Sequence, residues 1–136
     1  MGGCCGRNFS DEEIDKATSL KELAEILTKR KETFPSEGDQ IAAYLQDPNS
    51  EVENIDVKGI EPSILEKRID YLKDLEGAYT KVAETLLNNP NLPLDECKSH
   101  CTDIVSRYFQ TYDPNKELDS DMEKFDQFVE KNQKSE

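Results

Sequence analysis

The sequence has few basic residues and no long apolar run, and both absences restrict its function. It contains 17 Lys and Arg against 30 Asp and Glu, for a formal net charge of −13. Nucleic-acid phosphates are bound by clustered Lys and Arg, so we do not expect a nucleic-acid partner. No stretch approaches the ~18 consecutive apolar residues of a spanning helix, and no apolar secretory segment follows the N-terminus. The composition therefore predicts a soluble protein that is not exported through a conventional signal.

Residues typical of enzyme active sites are equally scarce. The single histidine, His100, lies among apolar positions, so a triad with a histidine base is not expected. The glycines outside the N-terminus, at 38, 59 and 77, stand alone and form no phosphate-binding loop. Paired carboxylates are too common in so acidic a chain to identify a site. We therefore predict a protein that is not an enzyme and that carries no cofactor.

The apolar residues that are present recur at helical spacing. Leu, Ile, Val and Phe make up 30 of the 136 residues, just above the roughly 20% below which highly charged chains are usually disordered. Their period and the short connections between helices predict an all-α fold, an antiparallel bundle of four to five amphipathic helices. We place the bundle at residues 10–131, with a flexible arm at 1–9 and a frayed tail at 132–136.

Local signals predict where the first helices begin and end. Ser10 with Glu13 and Ser19 with Glu22 fit capping boxes, so a short first helix is expected to lead into a second. Pro35 is expected to end the second helix, and a third should begin one residue later. The strongest pattern predicts a helix of about seven turns after residue 62, with the following seam: Leu65, Ile69, Leu72, Leu75, Tyr79, Val82 and Leu86.

The remaining segments are less regular. Residues 52–62 show no helical period and predict an extended strap across the helices, or else a short strand. An apolar stripe predicts a helix over residues 94–112. Asp113 is expected to cap the last helix, with Pro114 at its first position.

The first six residues, MGGCCG, resemble a lipidation signal. Gly2 fits the myristoylation pattern Met-Gly-x-x-x-[Ser/Thr], whereas Gly6 departs from it. One myristoyl chain gives only marginal membrane affinity, about 10⁴ M⁻¹, so stable anchoring needs a second signal. The acidic chain has no polybasic patch, but Cys4 and Cys5 lie where S-palmitoylation would supply that signal. The opposing interpretation is an unmodified start with two exposed thiols.

The other two cysteines flank the histidine in CKSHC. On a helix, Cys97, His100 and Cys101 could supply two or three ligands to zinc or copper. Both cysteines, however, continue the apolar stripe between Leu94 and Ile104, and cysteine is often buried as a small hydrophobe. We predict free thiols packed in the core of a protein from a reducing compartment, and keep a metal site as the alternative.

The acidic segments SDEE, SEVE and SDME begin with Ser10, Ser50 and Ser120, and each has an acidic residue three positions after the serine, as acidophilic kinases prefer. Helix capping explains the pattern at Ser10 equally well. A phosphate on Ser10, beside a lipid anchor, would repel an anionic membrane surface.

Together these features predict a non-catalytic adaptor or scaffold tethered by lipids. Gly2 would carry the myristoyl group, and Cys4 and Cys5 the palmitoyl groups, at the cytoplasmic face of the plasma membrane or an endomembrane. The acidic surface favours a basic protein partner through electrostatic steering. The first alternative is a soluble cytosolic protein that binds metal or senses redox state through its cysteines. The second is a small acidic regulator that inhibits or escorts a basic partner without touching a membrane.

Overall fold

A computed structural model describes residues 10–47, 49 and 59–134. Within these ranges the chain is helical, with no β-strand, and it forms the all-α bundle that the periodicity predicts. Its helices are α1 (Glu12–Lys16), α2 (Leu20–Lys31), α3 (Phe34–Gln46), α4 (Pro62–Asn88), α5 (Leu94–Ser106) and α6 (Glu117–Lys134), with one 3₁₀ turn at Arg107–Phe109.

The 27-residue helix α4 is the centre of the bundle. All residues of its predicted seam are buried except Ile69, which is partly buried against the same core. Helices α2 and α3 pack along α4 one after the other, and both run antiparallel to it. The Lys31 ammonium at the end of α2 donates to the Thr80 hydroxyl at 2.7 Å, whereas Gly38 in α3 faces Leu72. Thus α2 covers the C-terminal half of α4, and α3 covers its N-terminal half.

Helices α5 and α6 form an antiparallel pair on another side of α4. Arg107, just after α5, pairs with Asp121 near the start of α6, with Nε and Oδ2 2.6 Å apart. Further along, His100 of α5 contacts the rings of Phe125 and Phe128 of α6. The core shared by all these helices is built mainly from Leu, Ile, Val and aromatic side chains.

The two predicted capping boxes have different outcomes. Ser19 caps α2 as predicted, since its hydroxyl accepts from the Glu22 amide at 3.2 Å. The prediction that Ser10 caps α1 is wrong. The cap is Asp11, whose carboxylate accepts from the Ile14 amide at 3.1 Å. Aspartate is as good an N-cap as serine, and a contact with α2 holds its carboxylate in place.

The predicted role of Pro35 is also wrong. Helix α2 already ends at Lys31, and Phe34 and Pro35 belong to the first turn of α3 instead of the end of α2. Proline is favoured there because the amide that it lacks would have no partner within the helix. The third helix therefore begins two residues before Ser36, the predicted start.

The predicted helix over 94–112 is too long, because α5 ends at Ser106 and the chain continues through the 3₁₀ turn. The prediction for Asp113 is right for its side chain and wrong in position. Its carboxylate oxygens accept from the amides of Glu117 and Leu118, both at 2.8 Å, but Asp113 lies four residues before the first residue of α6. Pro114, however, lies in a turn before the helix. Lys116 has a left-handed φ of 52°, which prevents a continuous helix from Pro114.

Helix α6 extends to Lys134, into the segment predicted to fray from residue 132. The Asn132 amide donates to the Phe128 carbonyl at 2.9 Å, and the Gln133 amide donates to Oδ1 of Asn89 at 2.8 Å. The first bond lies within α6, and the second joins its last turn to Asn89, the C-cap residue of α4. Residues 51–58, most of the predicted strap, lie outside the described residues. Of the rest, Gly59 has a φ of 82° and Ile60 packs partly into the core.

Candidate functional site

The predicted lipidation residues Gly2, Cys4 and Cys5 lie outside the described residues. The first described residue is Ser10, which is exposed and precedes α1. The site that the structure can describe is therefore the junction between the N-terminal segment and the bundle.

A side-chain clamp joins this junction to α2. The Arg30 guanidinium contacts both carboxylate oxygens of Asp11, at 2.5 and 2.8 Å, and also Oε1 of Glu13, at 2.9 Å. Bonding to Arg30 holds the pKa of Asp11 below its usual value, although partial burial opposes the shift. Beneath the clamp, Ile14 and Ala17 are buried in the core. The chain therefore leaves the bundle from a fixed point at the C-terminal end of α2.

The CKSHC segment lies on α5 with its two thiols in the core. Cys97 and Cys101 are free cysteines and completely buried, as their place on the apolar stripe predicts. Burial raises the pKa of Cys97 to about 11 and that of Cys101 to about 12, so both remain protonated thiols near neutral pH. Ligation and redox chemistry both require thiolate, which this environment disfavours.

His100 points towards α6. Its ring centroid lies 5.7 Å from that of Phe125 and 4.8 Å from that of Phe128. Burial is the main cause that lowers the pKa of His100, so the imidazole is neutral near pH 7. Throughout the described part of the chain, no group of three or more His, Cys, Asp or Glu side chains could hold a metal ion.

The structure contains a buried polar network that the sequence did not predict. Arg68 of α4 is almost fully buried and forms an ion pair with Glu37 of α3, with Nη2 and Oε2 2.9 Å apart. Its Nη1 donates to the carbonyls of Tyr108 and Gln110, at 3.0 and 2.6 Å. The guanidinium also lies over the Tyr108 ring, and the Tyr108 hydroxyl donates to Oε1 of Glu37 at 2.6 Å. Arg68 thus joins α3, α4 and the segment after α5.

Two tyrosines complete this network. The Tyr71 hydroxyl donates to the Arg107 carbonyl at 2.9 Å. Burial raises the pKa of Tyr71, and burial followed by the bond to Glu37 raises the pKa of Tyr108 to about 12. Both phenols therefore remain donors near neutral pH and hold neighbouring structure in place. One sequence signal was available: Arg68 lies three residues after Leu65 and four before Leu72, on the buried stripe.

An acidic cleft lies between α4 and the turn that precedes α6. Its volume is about 460 Å³, and its charged lining consists of four aspartates and two lysines: Asp70, Asp74, Asp113, Asp119, Lys67 and Lys116. Partial burial raises the pKa of Asp74, and the neighbouring Asp119 and Asp70 raise it further. The local potential is therefore negative, which favours cationic groups over anionic ones.

No family model, curated protein or solved structure matches this chain. The functional argument consequently depends on its own residues. None of the helices in the described ranges combines the length and apolar composition of a membrane span. Among the described residues, the exposed large hydrophobic side chains are Leu87 and Phe109.

Proposed function

We propose that this protein is a non-catalytic adaptor or scaffold that holds a helical bundle at the cytoplasmic face of the plasma membrane or an endomembrane. Gly2 carries an N-myristoyl group, and Cys4 and Cys5 carry S-palmitoyl groups. The observation that carries this proposal is that the four cysteines form two pairs in different settings. Cys97 and Cys101 are core residues, whereas Cys4 and Cys5 lie two and three residues from Gly2.

Stable attachment to a membrane requires both a myristoyl and a palmitoyl chain. Myristate alone binds bilayers with an affinity of about 10⁴ M⁻¹, which is marginal and reversible. A cluster of basic residues is one possible second signal, but a chain of net charge −13 does not provide it. A palmitoyl chain contributes about 0.8 kcal/mol for each CH₂ group buried in the bilayer. Acylation at Cys4 or Cys5 therefore supplies the affinity that Gly2 alone lacks.

The buried polar side chains form hydrogen bonds within the protein, which supports a non-catalytic role. In the described ranges, every buried side-chain nitrogen or oxygen has a hydrogen-bond partner. The Arg68 guanidinium donates its hydrogen bonds to backbone carbonyls and to Glu37. The sole histidine is packed against phenylalanine rings, and the thiols on the same helix are protonated. These groups serve the fold and are not presented to a substrate.

The adaptor's protein partner is basic. The net charge of −13 steers positively charged proteins towards the surface and disfavours nucleic acid. The raised pKa of Asp74 is consistent with a concentration of this negative potential in the acidic cleft. Binding would therefore weaken as ionic strength rises, because screening reduces long-range attraction.

Membrane fractionation with an unmodified N-terminus tests the anchor. Any affinity tag belongs at the C-terminus, because an N-terminal tag blocks Gly2. We expect the wild type to pellet with membranes, and Gly2→Ala and Cys4→Ser/Cys5→Ser to become soluble. Gly3→Ala is the control for adding one methyl group, and Cys97→Ala is the control for removing a thiol.

Mass spectrometry of the protein from its own cells provides the decisive readout. We expect acyl groups on Gly2 and on at least one of Cys4 and Cys5. A soluble wild type with a free Gly2 amine and free thiols would reject the anchor. Stoichiometric zinc or copper in such a soluble protein would favour the metal-binding alternative instead. With the anchor established, pull-down from membranes identifies the partner.

A further inference from the structure

Ser10 differs from the other serines that the structure describes. It is exposed and lies outside any helix, whereas all the others lie within helices except Ser19, the N-cap of α2. Protein kinases bind the segment around the target hydroxyl in an extended form. Of the serines with an acidic residue three positions later, Ser120 belongs to α6, where its amide donates to the Lys116 carbonyl at 3.2 Å. Ser10 itself therefore lies outside any helix, and Ser120 does not. Extended binding of residues 10–13 requires only the first turn of the five-residue helix α1 to open.

The acidic residues that follow Ser10 are also accessible. The Glu12 and Glu13 side chains are 84% and 61% exposed, whereas that of Asp11 is only 11% exposed under Arg30. Glu13 occupies the third position after the hydroxyl, where an acidophilic kinase places its basic pocket. The recognition residue Glu13 is thus largely exposed although it also pairs with Arg30, and Asp11 fixes the segment to the bundle.

We propose that Ser10 is a phosphorylation site for an acidophilic protein kinase, and that its phosphate weakens attachment of the lipidated chain to anionic membranes. This inference rests on the proposed lipid anchor. In the transfer, the Ser10 hydroxyl oxygen attacks the γ-phosphorus of ATP and forms an O–P bond. The bond to the bridging oxygen of ADP breaks, the hydroxyl proton passes to the catalytic aspartate of the kinase, and ADP leaves.

The negative charge of a phosphate on Ser10 would meet little unpaired positive charge in the clamp. Arg30 already donates three hydrogen bonds to the carboxylates of Asp11 and Glu13. A phosphoserine carries a charge of about −1.5 to −2 at pH 7. Ser10 lies five residues beyond Cys5, at most about 17 Å of extended chain. That separation falls within the Debye length of about 30 Å at 10 mM salt, but exceeds the value of about 8 Å at 0.15 M.

These values give the expected effect. An anionic leaflet has a surface potential of about −30 mV at physiological ionic strength, and dilute salt screens it less. Two negative charges within a Debye length therefore weaken partitioning about tenfold at low ionic strength. A neutral bilayer has no such potential, and its affinity for the lipid chains should not change. The predicted difference is therefore confined to anionic membranes, and salt should reduce it.

The modification is tested first. Full-length lipidated protein is incubated with an acidophilic kinase and ATP, and phosphate is located by mass spectrometry. We expect phosphate on Ser10, loss of that signal in Ser10→Ala and no change in Ser120→Ala, the matched control in a helix. Phosphate on Ser120 with none on Ser10, or no phosphate at all, would overturn the assignment.

The consequence is tested by flotation with vesicles of phosphatidylcholine alone and vesicles with about 30% phosphatidylserine. In about 10 mM salt, we expect Ser10 phosphate to weaken binding about tenfold on the anionic vesicles only. Equal binding of the phosphorylated and unphosphorylated forms there would overturn this inference and leave the anchor intact. If the unphosphorylated protein binds neither vesicle, the anchor fails and this inference fails with it.

Discussion

Replacing Arg68 by methionine removes the central cation of the buried network while keeping a long apolar side chain. In the variant, the Glu37 side chain remains only 11% exposed and has no cation beside it. The carbonyls of Tyr108 and Gln110 also lose the donor that they share. The backbone after α5 would then have to find water or rearrange.

The expected loss of stability follows from leaving the buried Glu37 carboxylate without a cation. Removing one partner of a buried ion pair destabilises proteins by about 3–5 kcal/mol. With an unfolding entropy of about 2.1 cal/mol/K per residue, that loss lowers the melting temperature by about 10–17 °C. The double variant Glu37→Leu/Arg68→Met has no unpaired charge, so we expect it to recover about 2 kcal/mol or more of the loss.

Urea unfolding monitored by circular dichroism measures these differences. Lys73→Met is the matched control, because it removes an exposed positive charge from the same helix and should change stability by no more than about 0.5 kcal/mol. A loss below about 1 kcal/mol in Arg68→Met would refute the reasoning. A double variant as unstable as Arg68→Met would refute it too, because the unpaired Glu37 would then not be the cause.

Three further predictions concern the caps, the acidic cleft and the thiols. Asp113→Ala should destabilise the protein by about 1–2 kcal/mol in urea unfolding, because two amides of α6 lose their acceptor; an unchanged midpoint would contradict the capping role. The pKa of Asp74 is raised in the folded state, so deprotonation is less favourable in the folded than in the unfolded protein, and the resulting loss of stability grows as pH rises from about 4 to the folded-state pKa; Asp74→Asn should therefore raise the melting temperature near pH 7, with a gain that shrinks towards about pH 4. Cys97 and Cys101 should resist a thiol reagent near pH 8 until the protein is denatured, and rapid labelling of either in the folded protein would contradict their burial.

The periodic part of the fold was predictable because its signal is local. The seam of α4 repeats at intervals of three and four residues, which indicates one buried helical face whatever the partners are. The same reasoning placed Cys97 and Cys101 in the core, because they continue the stripe of α5. Ser19 and Asp113 were identified as caps because capping depends on neighbours within about five residues.

Two of the errors occur where distant side chains decide the local structure. Asp11 rather than Ser10 caps α1, and its carboxylate is held by Arg30, 19 residues away. Helix α5 ends before its apolar pattern does, and Arg68, about 40 residues earlier, donates hydrogen bonds to two carbonyls of the next segment. An arginine on an apolar stripe signals a buried network, but its partners come from another helix and from a turn. Spacing along one segment does not contain that information.

The Arg30 clamp has a mechanical consequence. If the N-terminus is held in a bilayer and the bundle is pulled by a bound partner, tension enters the folded part of the chain at Ser10. The next residue, Asp11, is bonded through Arg30 to the end of α2, a helix that packs along α4. Force therefore passes directly into the core and does not have to be carried by the five residues of α1. The bundle can remain folded while the tether is stretched.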